Sequence, residues 1–431
     1  MTISSIKKNT RKHNQQKQQQ QQKKQQQNKK SILRGGKKIG EGSFGCVIVP
    51  NIKCANSKIK YDAKIKTVSK LVGFKNKEDL KDLNDEIRLN TLIKSFDKDN
   101  KYFITILEHC KINTNEKDSF ESRDNISVQN YDYNVDKYNK CVLNKNRVNY
   151  NLVMPFAGLD LTDIINEPKY AEKLSIIKNK LQYVIYHLLK GIRYLHKHNI
   201  IHLDIKPDNI AIDISKEGVI TQCAFIDFGL AYDIKHSGKS DDLFYFHSGT
   251  PGYIPPESYI LYLLYSYGIK KIGDTHFKES MLKKATSELV DTEMFYKEEL
   301  SLPQTIFKHD KTHDKSFFSF LKADASKYFK NNDLNHIYEI YADLIKRDKL
   351  LIEYFKPMDG MIFKQDIYAL GITLYLIYKM TNSNNPHLLD LISNMIEIDP
   401  IKRYSIDDCF KHPYIKSVSS KKLKKQNRNT K

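Results

Sequence analysis

The chain has no tryptophan, no closely spaced cysteine pair and no apolar run long enough to cross a membrane. Its longest apolar run, at residues 259–267, falls well short of the roughly 18 residues that a transmembrane helix requires. The first residues are polar and basic without an apolar core, which argues against a secretory signal peptide. We therefore expect a soluble protein with no membrane-spanning segment.

The six cysteines are scattered, with no C-x-x-C pattern and no histidine spacing suited to zinc. This spacing favours free thiols over disulfides or a metal site, and free thiols are typical of a reducing compartment. We therefore expect a cytoplasmic location. The six are Cys46, Cys54, Cys110, Cys141, Cys223 and Cys409.

The chain is strongly basic, with a formal net charge of +20 and much of its excess lysine in two tails. Residues 1–34 and 416–431 hold too few apolar side chains to offset the entropy of ordering, so we expect both tails to be disordered. A basic tail can contact nucleic acid or an acidic surface through phosphate attraction. Because no aromatic residue interrupts these runs to stack on bases, we favour solvated extensions over nucleic-acid binding.

The hydrophobic pattern changes from strand-like to helical along the chain. An early helix is predicted at residues 80–93, with Leu83, Ile87 and Leu92 on one face. The later helix at 181–195 repeats its apolar residues at the spacing of a buried face. Further strand-like runs lie at 37–50, 67–74, 103–108 and 151–154, and further helical runs at 364–378 and 387–398.

This order of elements predicts an α+β architecture with a small β-rich lobe followed by a large helical lobe. We place the small lobe at residues 35–157, with a polar insertion at about 111–148. The large lobe follows at 158–415, with an insertion at about 258–361 that has helical patterns but no motif. The sequence has no internal repeat, and we expect a monomer.

The most informative stretch is HLDIKPDN at residues 202–209, followed after a predicted hairpin by Asp227-Phe228-Gly229. Phosphoryl transfer from a metal–nucleotide complex needs a proton acceptor, a cation for the moving phosphate and oxygen ligands for magnesium. Asp204 could accept the proton and Lys206 could neutralise the phosphate. Asn209 and Asp227 could bind Mg²⁺, with Mn²⁺ as a substitute.

A second motif, GEGSFGCV at residues 40–47, has the form G-x-G-x-x-G-x-V. Glycines allow the backbone to close over phosphates without a side chain in the way. A strand follows the glycines, whereas a helix would follow them in a dinucleotide-binding turn. The motif therefore favours a phosphate-covering hairpin.

Together, these motifs resemble the eukaryotic-type Ser/Thr protein kinases over residues 35–415, apart from the two insertions. The resemblance implies a two-lobed kinase fold that transfers the γ-phosphate of ATP to Ser or Thr hydroxyls of protein substrates. The cysteine-containing segment before residues 68–71 further resembles kinases of giant DNA viruses. A pseudokinase scaffold, which would bind partners through its insertions and tails, is the alternative. The residues implied at the nucleotide are Ile39, Gly40, Glu41, Gly42, Ser43, Phe44, Gly45, Cys46, Val47, Val68, Lys70, Met154 and Phe156.

The resemblance implies a lysine that anchors the phosphates, and three lysines follow the glycine motif. Residues two apart on a strand share a face, so the residue two before that lysine must line the adenine pocket. For Lys64 this residue is Asp62, and for Lys66 it is Lys64, which would bury a charge against the base. For Lys70 it is Val68, so Lys70 is our choice.

The resemblance also implies an acid on the next helix that holds this lysine by an ion pair. Glu86 is the best match, with Glu78 as the second choice, although the usually apolar position four residues later is Asn90. Residues 153–158 resemble the hinge, with Met154 at the adenine pocket. Asp160 could bond the ribose or, equally, cap a helix.

Further matches lie in the C-terminal lobe. Residues 249–257 resemble the end of an activation segment, in which Thr250 would hydrogen-bond near the catalytic Asp204 and Lys206. Asp366 resembles the aspartate that braces the backbone of the catalytic loop, and Arg403 is placed to pair with Glu257. His202 is expected to be a packed core histidine. The stretch between residues 366 and 403 is short for the family, so we expect helix G to be truncated or lost.

One residue departs from the family pattern, since Leu203 stands where an arginine normally receives a phosphate of the activation loop. Without that cation, phosphorylation of the loop has little to dock on. We therefore predict that phosphate transfer does not depend on phosphorylation of Ser237 or Ser240. Alanine at both positions should leave the transfer rate unchanged, and a collapse of activity would contradict the prediction.

Overall fold

A five-stranded antiparallel sheet forms most of the first described part of the chain. In the computed structural model, the order of its strands is β1-β2-β3-β5-β4. The strands are β1 Lys37–Gly42, β2 Gly45–Val49, β3 Thr67–Phe74, β4 Glu108–Ile112 and β5 Val148–Pro155. The structure describes residues 37–42, 45–49, 51, 54, 67–74, 77–112, 148–235, 249–250, 252–258, 267–268, 280–281, 284, 360–397 and 399–417.

The chain divides into two compact units. The first comprises Met1–Lys81 and Ile106–Phe156, and the second comprises Asp82–Thr105 and Ala157–Lys431. The segment from Asp82 to Thr105, which we had assigned to the small lobe, therefore groups with the second unit. The predicted insertion at 111–148, most of that at 258–361, both tails, and Ser237 and Ser240 lie outside the described residues.

The strand predictions are correct except for one. The strand–turn–strand at 37–50 and the strand at 67–74 are confirmed as β1, β2 and β3. The strand predicted at 103–108 is wrong, since β4 begins only at Glu108. The Asp97 carboxylate accepts hydrogen bonds from the backbone N–H groups of Tyr102 and Phe103, and Ile104 donates its N–H to the carbonyl of Phe225. The backbone N–H groups of residues 102–104 are therefore not available to pair with a strand of the five-stranded sheet.

The expectation of free thiols is wrong for two cysteines. Cys54 and Cys110 form a disulfide within the first unit, with their Cα atoms 5.9 Å apart. Their separation of 56 residues gives no sequence signal of pairing. Cys223 and Cys409 are free and buried, and burial raises the pKa of the Cys223 thiol to about 12.

The first helix, α1 (Lys77–Phe96), runs from the first unit into the second. Leu83 is buried as predicted, but Ile87 and Leu92 are only half-buried. The inward face instead includes Leu89 and Ile93. Its polar residues Glu86 and Asn90 are also buried, and the Asn90 amide donates a hydrogen bond of 2.8 Å to the carbonyl of Glu86. This bond satisfies the amide within the helix, so a polar residue is tolerated there.

The core of the second unit is built around α4, Leu181–Lys197. The helix approaches its neighbours closely at Gly191, where an added Cβ would lie 2.9 Å from the ring of Phe225. A larger residue would therefore push α4 away from the strand that contains Phe225. The residues predicted for its buried face are all buried, namely Leu181, Val184, Ile185, Leu188, Leu189, Ile192 and Leu195.

Short strands and further helices complete the described part of this unit. The hairpin predicted between residues 209 and 227 is confirmed as an antiparallel pair of β8 (Ile210–Ile214) and β9 (Ile220–Phe225). Helix α5 (Lys364–Met380) is followed directly by α6 (Pro386–Met395), so no helix G lies between them, as predicted. The elements are β6 Leu159–Asp160, α2 Leu161–Asn166, α3 Ala171–Asn179, β7 Ile200–Ile201, β8 Ile210–Ile214, β9 Ile220–Phe225, β10 Tyr232–Asp233, α5 Lys364–Met380, α6 Pro386–Met395 and α7 Ile406–Lys411.

No helix in the described ranges combines enough length with enough apolar character to cross a membrane.

A buried ion pair links distant parts of the second unit. Arg403 donates two hydrogen bonds to the Glu257 carboxylate, at 2.5 and 2.9 Å, and both residues are only 1% exposed. The guanidinium also donates to the carbonyl of Glu397 and lies 4.9 Å from the ring centroid of Tyr368. The expected pairing of Arg403 with Glu257 is therefore confirmed.

Removing one charge from this pair should strongly destabilise the fold. The substitution Glu257→Gln leaves the buried Arg403 guanidinium without its counter-charge, so we expect the free energy of unfolding to fall by about 3–5 kcal/mol. Chemical denaturation measures this loss. The matched control is Glu167→Gln, because Glu167 pairs with Lys169 at an exposed site. The control should cost less than about 1 kcal/mol, and equal losses in the two variants would contradict the prediction.

Candidate active site

A buried carboxylate on α5 holds the backbone of the loop at residues 202–209. Asp366 is 0% exposed and accepts hydrogen bonds of 3.0 Å from the backbone N–H groups of His202 and Leu203. His196 Nε2 lies 2.9 Å from Asp366 Oδ2, and it must donate because a carboxylate can only accept. The brace expected at Asp366 is therefore present in the structure.

Leu203 adopts a left-handed backbone conformation, with φ at 62°. A branched residue rarely adopts this conformation unless its surroundings impose it. Its side chain is only 7% exposed and belongs to the hydrophobic core. A Cβ at Gly249 would lie 2.7 Å from the Leu203 carbonyl oxygen, so a glycine is required for the two segments to approach. Leu203 therefore packs the loop against the core, and it also stands where the family usually has an arginine.

The Asp204 carboxylate lies at the centre of a network of three donors. Thr250 Oγ1 donates to Oδ1 at 2.6 Å, and Asn209 Nδ2 donates to Oδ2 at 2.8 Å. The Lys206 ammonium lies 3.2 Å from Oδ2 and donates to Thr250 Oγ1 at 2.6 Å. The structure thus brings together Asp204, Lys206, Asn209 and Thr250, four residues that the sequence singled out.

Asn209 and Asp227 offer the oxygen ligands that a hard cation prefers. Asn209 Nδ2 donates to both the backbone carbonyl and the carboxylate of Asp204. These two bonds use the amide nitrogen and not Oδ1, which is the atom that could bind a cation. Asp227 lies at φ 62°, with its Oδ1 accepting the N–H of Gly229 at 3.2 Å. No group of three His, Cys, Asp or Glu suited to a metal occurs in the described ranges. One carboxylate and one amide therefore fit Mg²⁺, which keeps waters and phosphates among its ligands.

His202 is a core residue, as expected. It is 0% exposed and packs between the rings of Phe225 and Phe228, with centroids 5.7 and 5.2 Å away. Its Nδ1 lies 3.4 Å from the N–H of Asp204, which donates to it. The buried ring therefore helps to fix the position of the loop and is not exposed to a substrate.

The first unit places four of the expected nucleotide residues, Val47, Val68, Lys70 and Met154, on one face of its sheet. Lys70 lies in the middle of β3, opposite Val47 on β2 and Leu152 on β5. Val68 pairs with Met154 two positions further along, and residues two apart on a strand share a face. This alignment favours Lys70 over Lys64 and Lys66, although its role stays a prediction.

Other nucleotide residues are described only in part. The backbones of Ile39, Gly40, Glu41, Gly42, Gly45 and Cys46 belong to β1 and β2. Ser43, Phe44, Lys64 and Lys66 lie outside the described residues, and Phe156 follows β5 at the end of the first unit.

Glu86 lies beside the segment that contains Asp227, within the second unit. A Cβ built on Gly229 would lie 3.8 Å from Glu86 Oε2 and 3.2 Å from Asp227 Oδ1. Helix α1 therefore brings its buried acid to the loop predicted to bind the metal. Glu78 lies in the first turn of the same helix, and its side chain is not among those described.

Asp160 caps helix α2, which is one of its two expected roles. Its Oδ1 accepts a hydrogen bond of 2.7 Å from the N–H of Asp163. Burial raises the pKa of Asp160 to about 7. The hydrogen bond from Asp163 lowers this pKa, whereas the negative charges of Asp163 and Asp208 raise it further. The ribose contact stays a prediction.

Sequence reasoning missed three residues around the site. His196 bonds the bracing Asp366, but lies 170 residues before it in the chain. Arg88 and Asp233 form an ion pair of 3.0 Å, with Asp233 four residues after Gly229 in the loop predicted to bind the metal. No short motif contains these residues, and only the fold brings them to their partners.

Comparison with known proteins agrees with this geometry. The family model described as the protein kinase domain matches residues 33–271, which is more than half of the chain. The chain therefore belongs to the protein kinase domain family. This membership implies the two-lobed kinase fold, and the relatives compared below include serine/threonine kinases.

The matches to individual relatives are shorter. A serine/threonine-protein kinase of Drosophila yakuba is 36% identical over 124 residues, which cover 28% of this chain and 14% of that protein. Mitogen-activated protein kinase 12 of Homo sapiens is 41% identical over 80 residues, or 19% of each chain. The striated muscle preferentially expressed protein kinase of Danio rerio is 36% identical over 100 residues, or 22% of this chain and 3% of that protein. The aligned stretches thus span less than a fifth of these relatives' own length.

The raised pKa of Asp160 predicts a pH-dependent stability. Between about pH 4 and pH 7 the folded protein keeps a proton on Asp160 that the unfolded chain releases, so the free energy of unfolding falls as the pH rises. The substitution Asp160→Asn keeps a capping oxygen but removes the titration. We expect a flatter dependence between pH 5 and pH 8 and a gain of about 1 kcal/mol or more at pH 8.

Thermal or chemical denaturation at several pH values measures this effect. The exposed Asp99 provides a control, because Asp99→Asn should leave the slope as it is in the wild type. An unchanged slope in Asp160→Asn would show that Asp160 does not titrate in this range.

Proposed function

We propose that this protein is an active Ser/Thr protein kinase, which transfers the γ-phosphate of ATP to hydroxyl groups of protein substrates. One observation supports the proposal above all. The Asp204 carboxylate is held by the hydroxyl of Thr250, the amide of Asn209 and the ammonium of Lys206. Such a network fixes an acid in one orientation, which is what a proton acceptor for a substrate hydroxyl requires.

Each of these residues has a distinct part in the proposed transfer. The substrate hydroxyl oxygen attacks the γ-phosphorus, its proton passes to Asp204, and the bond to the β–γ bridging oxygen breaks. Lys206 lies beside Asp204 and can neutralise charge on the moving phosphoryl group. Thr250 joins the two, because it accepts from Lys206 and donates to Asp204. The hydroxyl thus keeps acid and cation at a fixed separation.

Divalent metal and ATP complete the proposed site. When bound, Mg²⁺ would draw negative charge from the phosphates of ATP. Asn209 and Asp227 would hold the metal, and the protein kinase family generally uses a divalent ion in this way. Lys70 would anchor the phosphates and Glu86 would orient Lys70. Residues 39–47, Val68, Met154 and Phe156 would surround the nucleotide.

A scaffold that has lost catalysis is the alternative, and the comparisons do not support it. Pseudokinases typically lose the anchoring lysine, the catalytic acid or the metal acid, and this chain has a residue of the required type at each position. We also keep as proposals a monomeric state, a cytoplasmic or virion location, a relationship to giant-virus kinases, and weak contact of the basic tails with nucleic acid or acidic surfaces. Loss of nucleic-acid binding on deletion of residues 1–34, together with a steep salt dependence of the binding, would support the tail contact.

Transfer of radiolabelled phosphate from ATP to a generic protein substrate tests the proposed function. We expect transfer by the wild type with Mg²⁺ or Mn²⁺. We expect the rate of transfer to fall at least about a hundredfold in Asp204→Ala, which removes the proton acceptor, and in Asp227→Ala, which removes a metal ligand. Asp99→Asn, at an exposed position, serves as a control for charge and should keep full activity.

Two outcomes would contradict the proposal. Failure of the folded wild type to transfer phosphate with either metal would favour the scaffold. Equal transfer by wild type, Asp204→Ala and Asp227→Ala would show that the measured activity comes from another site or another protein.

A further inference from the structure

An ion pair joins helix α1 to the segment that follows the metal loop. Arg88 Nη1 lies 3.0 Å from Asp233 Oδ2, across a separation of 145 residues. The Asp233 side chain is only 7% exposed, whereas Arg88 is 35% exposed. Within the described residues, no other lysine or arginine forms an ion pair with Asp233. The partly shielded pair is thus a specific link between two distant segments.

The same helix turn also contains Glu86, whose Oε2 would lie 3.8 Å from a Cβ on Gly229. Glu86 and Arg88 therefore approach the two ends of the segment from Gly229 to Asp233. Side chains two residues apart on a helix leave its axis about 200° apart, so the two contacts come from different faces of α1. Two contacts of this kind restrict rotation of α1 about its own axis, which is the motion that would withdraw Glu86.

Asp233 is in turn fixed to the strand that precedes the catalytic loop. In the β7–β10 pair, Asp233 lies opposite Ile200 and Tyr232 lies opposite Ile201, the residue directly before His202. The N–H of Lys235 also donates to Asp233 Oδ1 at 3.1 Å, which orients the carboxylate toward Arg88. A short chain of contacts therefore leads from the helix that contains Glu86 to the loop that contains Asp204.

We propose that Arg88 and Asp233 are a positioning pair, which holds the Glu86 helix against the metal loop and so sets the affinity for ATP and the rate of transfer. Because both charges are encoded in the chain, the link forms without a covalent modification. The inference rests on the proposed kinase function. Arg88 and Asp233 are neither the catalytic acid nor metal ligands in this proposal, so they act only through the position of the helix.

Kinetics at varied ATP concentration test the pair in the full chain. We expect Arg88→Gln and Asp233→Asn each to lower kcat/KM for ATP about tenfold. The double variant should lose no more than either single variant, because the same link is broken in all three. Arg88→Lys, which keeps the positive charge, should recover part of the loss.

The control is Arg193→Gln, since Arg193 forms a pair of 2.8 Å with Asp407 at an exposed site of the same unit. It should keep wild-type kinetics. A double variant whose loss equals the product of the two single losses would overturn the proposal, as would single variants with unchanged kcat/KM. Measurement well below the unfolding temperature of each variant separates the effect from a general loss of stability.

Amide hydrogen exchange gives a second readout that needs no activity. We expect Arg88→Gln to accelerate exchange in residues 82–96 and 227–235 and to leave α4 unchanged. If the wild type transfers no phosphate, the proposed function fails, and this readout still decides whether the pair positions the helix. Unchanged exchange in both segments would overturn the positioning role even in an active kinase.

Discussion

The catalytic loop depends on a single buried carboxylate. Asp366 accepts the backbone N–H groups of His202 and Leu203 and the ring N–H of His196. Burying a charge without such donors would be costly, so the three bonds make the position tolerable and also fix it. They hold Leu203 in a left-handed conformation that costs a non-glycine residue about 1 kcal/mol or more. Asp204 follows Leu203 in the chain, so the fixed backbone of residues 202–203 also determines where the Asp204 carboxylate meets its hydrogen-bond donors.

Local chemistry explains what the sequence could predict. Asp204, Lys206 and Asn209 lie within six residues of one another, and phosphoryl transfer demands these residue types together. The buried face of α4 was equally predictable, because its apolar residues repeat at the helical spacing. The strand expected at residues 103–108 was wrong for a non-local reason. Its first residues bond Asp97 and the distant Phe225, which apolar alternation cannot reveal.

Long-range pairs were beyond prediction from the residues alone. The Cys54–Cys110 disulfide and the Arg88–Asp233 ion pair join residues that no spacing rule connects. The Glu257–Arg403 pair was expected only because residues around both partners resemble a known family. A polar residue on a buried face, such as Asn90, was likewise ambiguous in the sequence. Its amide bonds the helix backbone, so the helix continues where the pattern alone had counted against it.

In the proposed transfer, the network at Asp204 also limits which carboxylate oxygen can receive a proton. A carboxylate has about four lone-pair sites, two on each oxygen. Among the described residues, Oδ2 accepts from Asn209 and faces Lys206, whereas Oδ1 accepts from Thr250 alone. The remaining site is therefore on Oδ1, so in the proposed transfer a substrate hydroxyl would donate to the oxygen that also accepts from the Thr250 hydroxyl. Thr250 would then do more than link acid and cation, because its position would limit the direction from which a substrate side chain can react.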